Sequence, residues 1–165
     1  MTAADWQDAV DAVWADAERL GDDEVIRRID ALAAALPADD PRGPFEAAGA
    51  RDAAGRAADA ERGYRVALQL GLAGRRRVEA LVQLASTVRT LGRPEESLRL
   101  LDEAGSDPYD LGDAITGFRA LALVDLGQER RAASELATAL AAHLPQYRHS
   151  LAAYAAAIGG DASSA

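Results

Sequence analysis

The chain has 165 residues, with 27 acidic side chains against 18 basic ones, all arginine, for a formal net charge of −9. It contains no cysteine, which excludes a disulfide framework and a thiol nucleophile, and a chain of this length can bury a core without a metal staple. Arg and Lys neutralise phosphate in nonspecific nucleic-acid binding; only residues 41–99 are net basic, at +4, between flanks at −8 and −5, so no nucleic-acid partner is expected.

The first residues, Met1 to Trp6, carry no basic run leading into an apolar stretch, so no signal peptide is expected. No window approaches 18 uninterrupted apolar residues, so neither a transmembrane helix nor a membrane partner is expected, and a cytoplasmic location is the default.

Apolar periodicity predicts helices over 3–20, 23–36, 44–54 and 57–71 in the first half of the chain. Pro37, Pro41 and Pro44 punctuate the link between the second and third of these. Further helices are predicted over 75–91, 94–104, 110–126 and 129–143. Pro94 sits early in its helix, where a missing N–H costs little, and Pro108 ends a pair. A last helix, 146–158, follows Pro145 and is apolar on most faces, as expected of a cap over the open end of a stack, with residues 159–165 fraying.

Four glycines close apolar stretches, at Leu20-Gly21, Ala54-Gly55, Leu91-Gly92 and Leu126-Gly127, spaced by 34, 37 and 35 residues. A glycine there supplies the left-handed conformation that ends one helix just before the next begins. The runs that follow agree with one another. Small or short side chains recur at Ala60, Ser97 and Ala132 and again at Ala33, Ala67, Ala104 and Ala139, with large ones between them at Tyr64, Leu101 and Leu136. The first repeat is irregular at Asp30, as terminal repeats often are.

This pattern resembles the tetratricopeptide repeat, whose helix A and helix B are joined by a glycine turn about every 34 residues. The family's Trp-x2-Leu-Gly-x2-Tyr is replaced by Leu81-x2-Leu84-Ala85-x2-Val88 in the third repeat and by Thr116-x2-Arg119-Ala120-x2-Leu123 in the fourth. The resemblance implies an all-α, right-handed superhelix of about four hairpins (5–38, 41–74, 75–108 and 110–144) plus the capping helix, as one solenoid over 1–158. A narrower likeness rests on Asp40-Pro41-Arg42-Gly43-Pro44-Phe45-Glu46, Tyr64-Arg65-Val66-Ala67-Leu68, Gln83 to Gly92, and Leu144-Pro145-Gln146-Tyr147-Arg148. These segments are similar to a group of short tetratricopeptide proteins common in actinobacteria, a likeness that implies no mechanism.

No phosphate loop, dinucleotide fingerprint or zinc-protease motif is present, so neither an enzyme nor a bound cofactor is expected. His143 and His149, six residues apart across Pro145, share no helical face and read as solvated or capping. Paired acids at Asp22-Asp23, Asp39-Asp40 and Glu95-Glu96 lie at helix starts and complement the helix dipole. Arg75-Arg76-Arg77 reads as a solvated run or a contact for an acidic partner. Trp6 and Trp14, two turns apart on one face, either pack on their own hairpin or present a stripe to a partner.

In the repeat family, set positions of helix A line the concave groove. Carried over, they fall on Arg42, Phe45, Gly49 and Asp52 in the second repeat, Glu79, Ser86, Arg89 and Thr90 in the third, and Leu121 and Asp125 in the fourth. Gln83 joins the polar stripe of the third helix A, opposite its apolar face. Arg89 either grips a ligand carboxylate with paired hydrogen bonds or pairs internally with Asp52 and Asp125. The family's chaperone-binding carboxylate clamp uses lysine and asparagine, and this chain has neither. The leading expectation is a protein- or peptide-binding adaptor with an acidic partner segment. The alternatives are self-association as a homodimer and, less favoured, a small-ligand sensor or enzyme.

Overall fold

A computed structural model describes residues 2–105 and 109–160. Pro108 and residues 161–165 of the expected tail lie outside that range. Among the described residues there are ten helices and no strand: α1 (Ala3–Ala15), α2 (Ala17–Leu20), α3 (Asp22–Ala34), α4 (Arg42–Ala53), α5 (Ala57–Gln69), α6 (Gly74–Thr90), α7 (Pro94–Ala104), α8 (Gly112–Asp125), α9 (Glu129–His143) and α10 (Arg148–Gly160). The chain divides into two compact units, Met1–Thr87 and Val88–Ala165, with the division falling inside α6.

The glycine turns take the backbone that the repeat requires. Gly55, Gly92 and Gly127 have φ of +71°, +80° and +70°. Each closes its helix with the same two hydrogen bonds: at the first turn Gly55 N–H donates to Asp52 C=O and Arg56 N–H to Arg51 C=O. Arg93 N–H to Val88 C=O and Gln128 N–H to Leu123 C=O repeat the longer bond at the other two. Gly21 also has positive φ, +77°, but its N–H bonds to Ala17 C=O in the ordinary helical way. The first hairpin therefore turns differently from the rest.

Some boundaries move for local reasons. The helix predicted over 3–20 breaks at Asp16, whose backbone leaves helical geometry (φ −107°, ψ 8°) while its carboxylate accepts from Arg19 Nε at 2.7 Å. Asp110 and Tyr147 take φ of +61° and +66°, a conformation no helix continues through, so α8 and α10 begin at Gly112 and Arg148, two residues later than predicted. Helix α10 runs through Gly160. At the other end of the chain, a Thr2–Asp5 capping box fixes the start of α1.

In the first unit α1 packs on α3, α3 on α4 and α4 on α5. Trp6, Val10 and Val13 of α1 meet Val25, Ile26 and Ile29 of α3, with Ala50 of α4 completing the cluster. Trp6 is 1% exposed, and its indole N–H donates to Leu32 C=O at 2.9 Å, so the large ring is buried without an orphaned donor. Asp30, the irregular residue of the first repeat, accepts the Arg51 guanidinium through both oxygens at 2.8 and 3.0 Å, tying α3 to α4. On α5 the repeat's small positions Ala60 and Ala67 are fully buried, and between them Tyr64 meets Phe45 with ring centroids 6.2 Å apart.

In the second unit α7 packs on α8, α8 on α9 and α9 on α10. Ala120, Leu123 and Ala132 form the α8–α9 seam, with Leu98 packed against it. Helix α10 approaches α9 closely: Ser134 Oγ donates to Ala155 C=O at 2.7 Å, and a Cβ on Gly159 would fall 2.7 Å from that oxygen.

Two helix-interior glycines respond oppositely to the same change. A Cβ on Gly63 of α5 would lie 2.8 Å from Ala48 Cβ and 3.2 Å from Pro44 C=O on α4, so Gly63→Ala forces the helices apart. The overpacking costs about 1–3 kcal/mol against a propensity gain of about 1 kcal/mol. Gly117 of α8 has nothing within 4 Å of the added Cβ, so Gly117→Ala stabilises by about 0.5–1 kcal/mol. Urea unfolding followed by circular dichroism should show the midpoint falling for the first variant and rising for the second.

Candidate functional site

The first unit holds a pocket of about 650 Å³ walled by α1, α4, α5 and α6. Phe45, Gly49 and Asp52 come from successive turns of α4, which places them on one helix face. Trp14 and Tyr64 supply aromatic walls, and Glu79 and Gln83, four residues apart on α6, supply polar ones. Gly49 keeps the floor open, since a methyl there would sit 3.6 Å from Trp14 Cζ2 and 3.9 Å from Tyr64 Oη, in ordinary contact with both.

The electrostatics are set by two carboxylates removed from water. Glu46 is 8% exposed, and burial raises its carboxyl above the usual range; the Trp14 indole N–H, donating to Oε2 at 3.1 Å, opposes this. The nearby Arg76 charge also favours the carboxylate, while Asp11 and Glu79 disfavour it. Asp52 is likewise raised by burial, opposed by donors from Thr87 Oγ1 at 3.2 Å and Tyr64 Oη at 3.3 Å. Burial, with the Asp52 charge second, pushes the Tyr64 phenol far up, so it stays protonated and acts as a donor. Glu79 accepts from Arg75 Nε at 2.8 Å, and Gln83 Oε1 is buried with no donor.

Of the residues expected to line a groove, Phe45, Asp52 and Gln83 meet in this pocket, with Gly49 and Glu79 beside them. Arg42 lies elsewhere in the same unit. Its guanidinium sits 5.1 Å from the Trp6 ring centroid and pairs with Asp40 at 2.6 Å, at the edge of a second cavity of about 430 Å³ that Arg76 also lines. Ser86 is half-buried on α6. Arg89, Thr90, Leu121 and Asp125 belong to the second unit. There Arg89 Nη1 pairs with Asp125 Oδ2 at 2.8 Å, Leu121 is 46% exposed, and Thr90 is exposed. Asp52 spends both oxygens on Thr87 and Tyr64.

Sequence reasoning missed Trp14 as a wall, Glu46 and Tyr64. A signal for Glu46 was present, because Glu46 and Gln83 are 37 residues apart, the same spacing as Gly55 and Gly92, and so occupy equivalent positions of successive helices A. His143 Nε2 lies 2.8 Å from Asp113 Oδ2, and both side chains are exposed. Among the described residues no three His, Cys, Asp or Glu side chains converge as metal ligands.

The family model described as Tetratrico peptide repeat matches residues 41–158, from the start of α4 to within α10. The chain belongs to the tetratricopeptide repeat family. No curated protein and no solved structure matches it. Tetratricopeptide repeats mediate protein–protein interaction and are typically non-catalytic. In this tetratricopeptide repeat protein, α1 to α3 lie before the matched segment, yet α1 supplies Trp14, and hence one pocket wall and the donor to Glu46. Among the described residues no helix is long and apolar enough to cross a membrane.

The Glu46 carboxyl gives the fold a definite pH dependence. Its folded value lies above the ordinary 4.5, so the folded chain keeps a proton that the unfolded chain releases, and stability falls as pH rises through that window. Glu46→Gln keeps an acceptor for Trp14 and does not titrate. The variant should melt higher than the native chain at neutral pH, with the difference closing as pH drops below 4.5. Thermal melts across a pH series read both.

Proposed function

We propose that this tetratricopeptide repeat protein is a protein- or peptide-binding adaptor whose recognition groove runs along the helix A face of the first unit. The observation that carries the reading is the pocket itself. It is about 650 Å³ in volume, within the range of ligand sites, and aromatic and polar side chains converge on it from four helices. Its floor is made by the residues that the repeat class uses for recognition, Phe45, Gly49 and Asp52 of α4. An acidic segment at Arg89 remains the reading drawn from the sequence; there the guanidinium already holds Asp125.

A second reading is self-association through the last hairpin. Trp6 is buried in the core and Trp14 lines the pocket, so neither offers a free stripe. Helices α9 and α10 instead expose Leu136, Leu140 and Tyr154, at 47%, 55% and 69%. Sedimentation equilibrium tests this reading: a monomer at every concentration discards it, and a dimer dissociated by Leu140→Glu supports it.

For the groove, Gly49→Leu is the decisive variant. Gly49 is helical, and the space beyond it is the pocket, so a leucine fills the cavity and improves helix propensity without entering the core. A displayed random-peptide library selected on the native chain should yield binders that lose at least about tenfold in affinity on Gly49→Leu, equivalent to about 1.4 kcal/mol. Helicity and melting should be retained. Binders indifferent to the substitution would move recognition off this face.

A further inference from the structure

The pocket is short of donors. Its lining carries the carboxylates Glu46, Asp52 and Glu79 and the buried carbonyl of Gln83, and none of its lining residues is basic. Of its side-chain donors, Trp14 Nε1 is given to Glu46 and Tyr64 Oη to Asp52, which leaves the Gln83 amide NH2 as the other. Trp14 engages only one Glu46 oxygen, and Gln83 Oε1 lies out of solvent with nothing donating to it. The Gln83 arrangement is costly, because a desolvated acceptor without a donor has lost water and gained nothing in return.

Arg76 is the nearest counter-charge to Glu46, but it stands outside this lining and its guanidinium donates to Gln7. What would complete the site is a flat, cationic, acceptor-free group small enough to lie against the Trp14 indole. A guanidinium has five N–H donors in a fixed plane, pairs with carboxylates through parallel bonds and stacks on indole and phenol faces.

We propose that this pocket captures an arginine side chain presented by a peptide segment of the partner. The guanidinium lies against the half-buried Trp14 indole, donating to Glu46, Asp52 and Gln83, with Glu79 supplying further negative charge at the side. This rests on the groove reading above and adds the chemistry of the anchor. It also gives the first hairpin a role, because α1 brings the indole that both walls the site and fixes the Glu46 carboxylate.

The two tryptophans provide an internal control. Trp14 Nε1–H lies in the pocket, whereas Trp6 Nε1–H is buried on Leu32 C=O. Acetylated, amidated pentapeptides with a central arginine, citrulline or glutamate between alanines are titrated into the full ¹⁵N-labelled chain, and the two indole resonances are followed. Citrulline matches arginine in shape but is neutral. The arginine peptide should move the Trp14 resonance saturably and leave Trp6 in place. The citrulline peptide should bind about tenfold more weakly or worse, and the glutamate peptide should not bind. The Glu46→Gln, Asp52→Asn double variant should lose the preference for arginine over citrulline while retaining helicity.

Equal binding of arginine and citrulline peptides, or tighter binding of glutamate, would overturn the cation assignment and leave the groove reading standing. If no peptide moves Trp14 at millimolar concentration while library-selected peptides still depend on Gly49, the arginine anchor is likewise overturned and the groove survives. If neither class of peptide reaches the pocket, both fall. The native-chain comparison of arginine with citrulline needs no variant, so a folding defect in the double variant does not blunt the test.

Discussion

Within each unit, helices hide apolar faces against neighbours in sequence, and that depends on the chain reversing sharply at the turn glycines. Gly55, Gly92 and Gly127 make the same reversal with the same pair of backbone bonds, at positive φ that a side chain with a Cβ resists. The antiparallel partner then arrives close enough that small residues must stand at the crossing. Gly63 against Ala48 in the first unit, and Gly159 against Ser134 in the second, are crossings with no room for another methyl. Turn and crossing are coupled: the first sets how near the helices come, and the second decides which residues tolerate it.

The pocket is a by-product of that packing turned to use. Three carboxylates and an amide sit where close-packed helices would otherwise favour apolar groups, and burial raises two of the carboxyl groups. The structure partly compensates, through an indole on Glu46 and a phenol and a threonine on Asp52. A wholly structural polar cluster would be expected to satisfy all its members; this one leaves Gln83 Oε1 without a donor. Sites that must receive something are the usual place for such unfinished business.

The two units distribute their surfaces differently. The first gathers its aromatics inward, with Trp6 and Tyr64 fully buried and Phe45 nearly so. The second leaves Leu121, Val124, Leu136 and Leu140 exposed along α8 and α9; its Arg119 contacts to Asp102 and Glu135 tie α8 to α7 and α9, and Arg89–Asp125 links α6 to α8. The division of labour follows the sequence's charge blocks only loosely, since the pocket lies largely within the net-basic stretch yet is itself lined by acids. Arginines such as Arg42, Arg51 and Arg62 in that stretch are paired with Asp40, Asp30 and Asp59, which leaves the pocket's own charge negative.

By itself the sequence determined the helices, their hairpin pairing and the turn glycines, because periodicity, small-residue spacing and left-handed closure are local properties that the backbone must satisfy wherever it goes. It also placed Phe45 and Asp52 on a common face through the repeat register, and Gln83 on the polar stripe of the third helix A. Only the tertiary structure decided which side chains meet. Arg42 was drawn away by Asp40 and the Trp6 ring, and Arg89 was held by Asp125. Trp14 came from outside the matched repeats to close the pocket, and Glu46 was desolvated beneath it. Those outcomes depend on distances between residues up to 36 positions apart and on water excluded by their joint burial, quantities that no single helix carries.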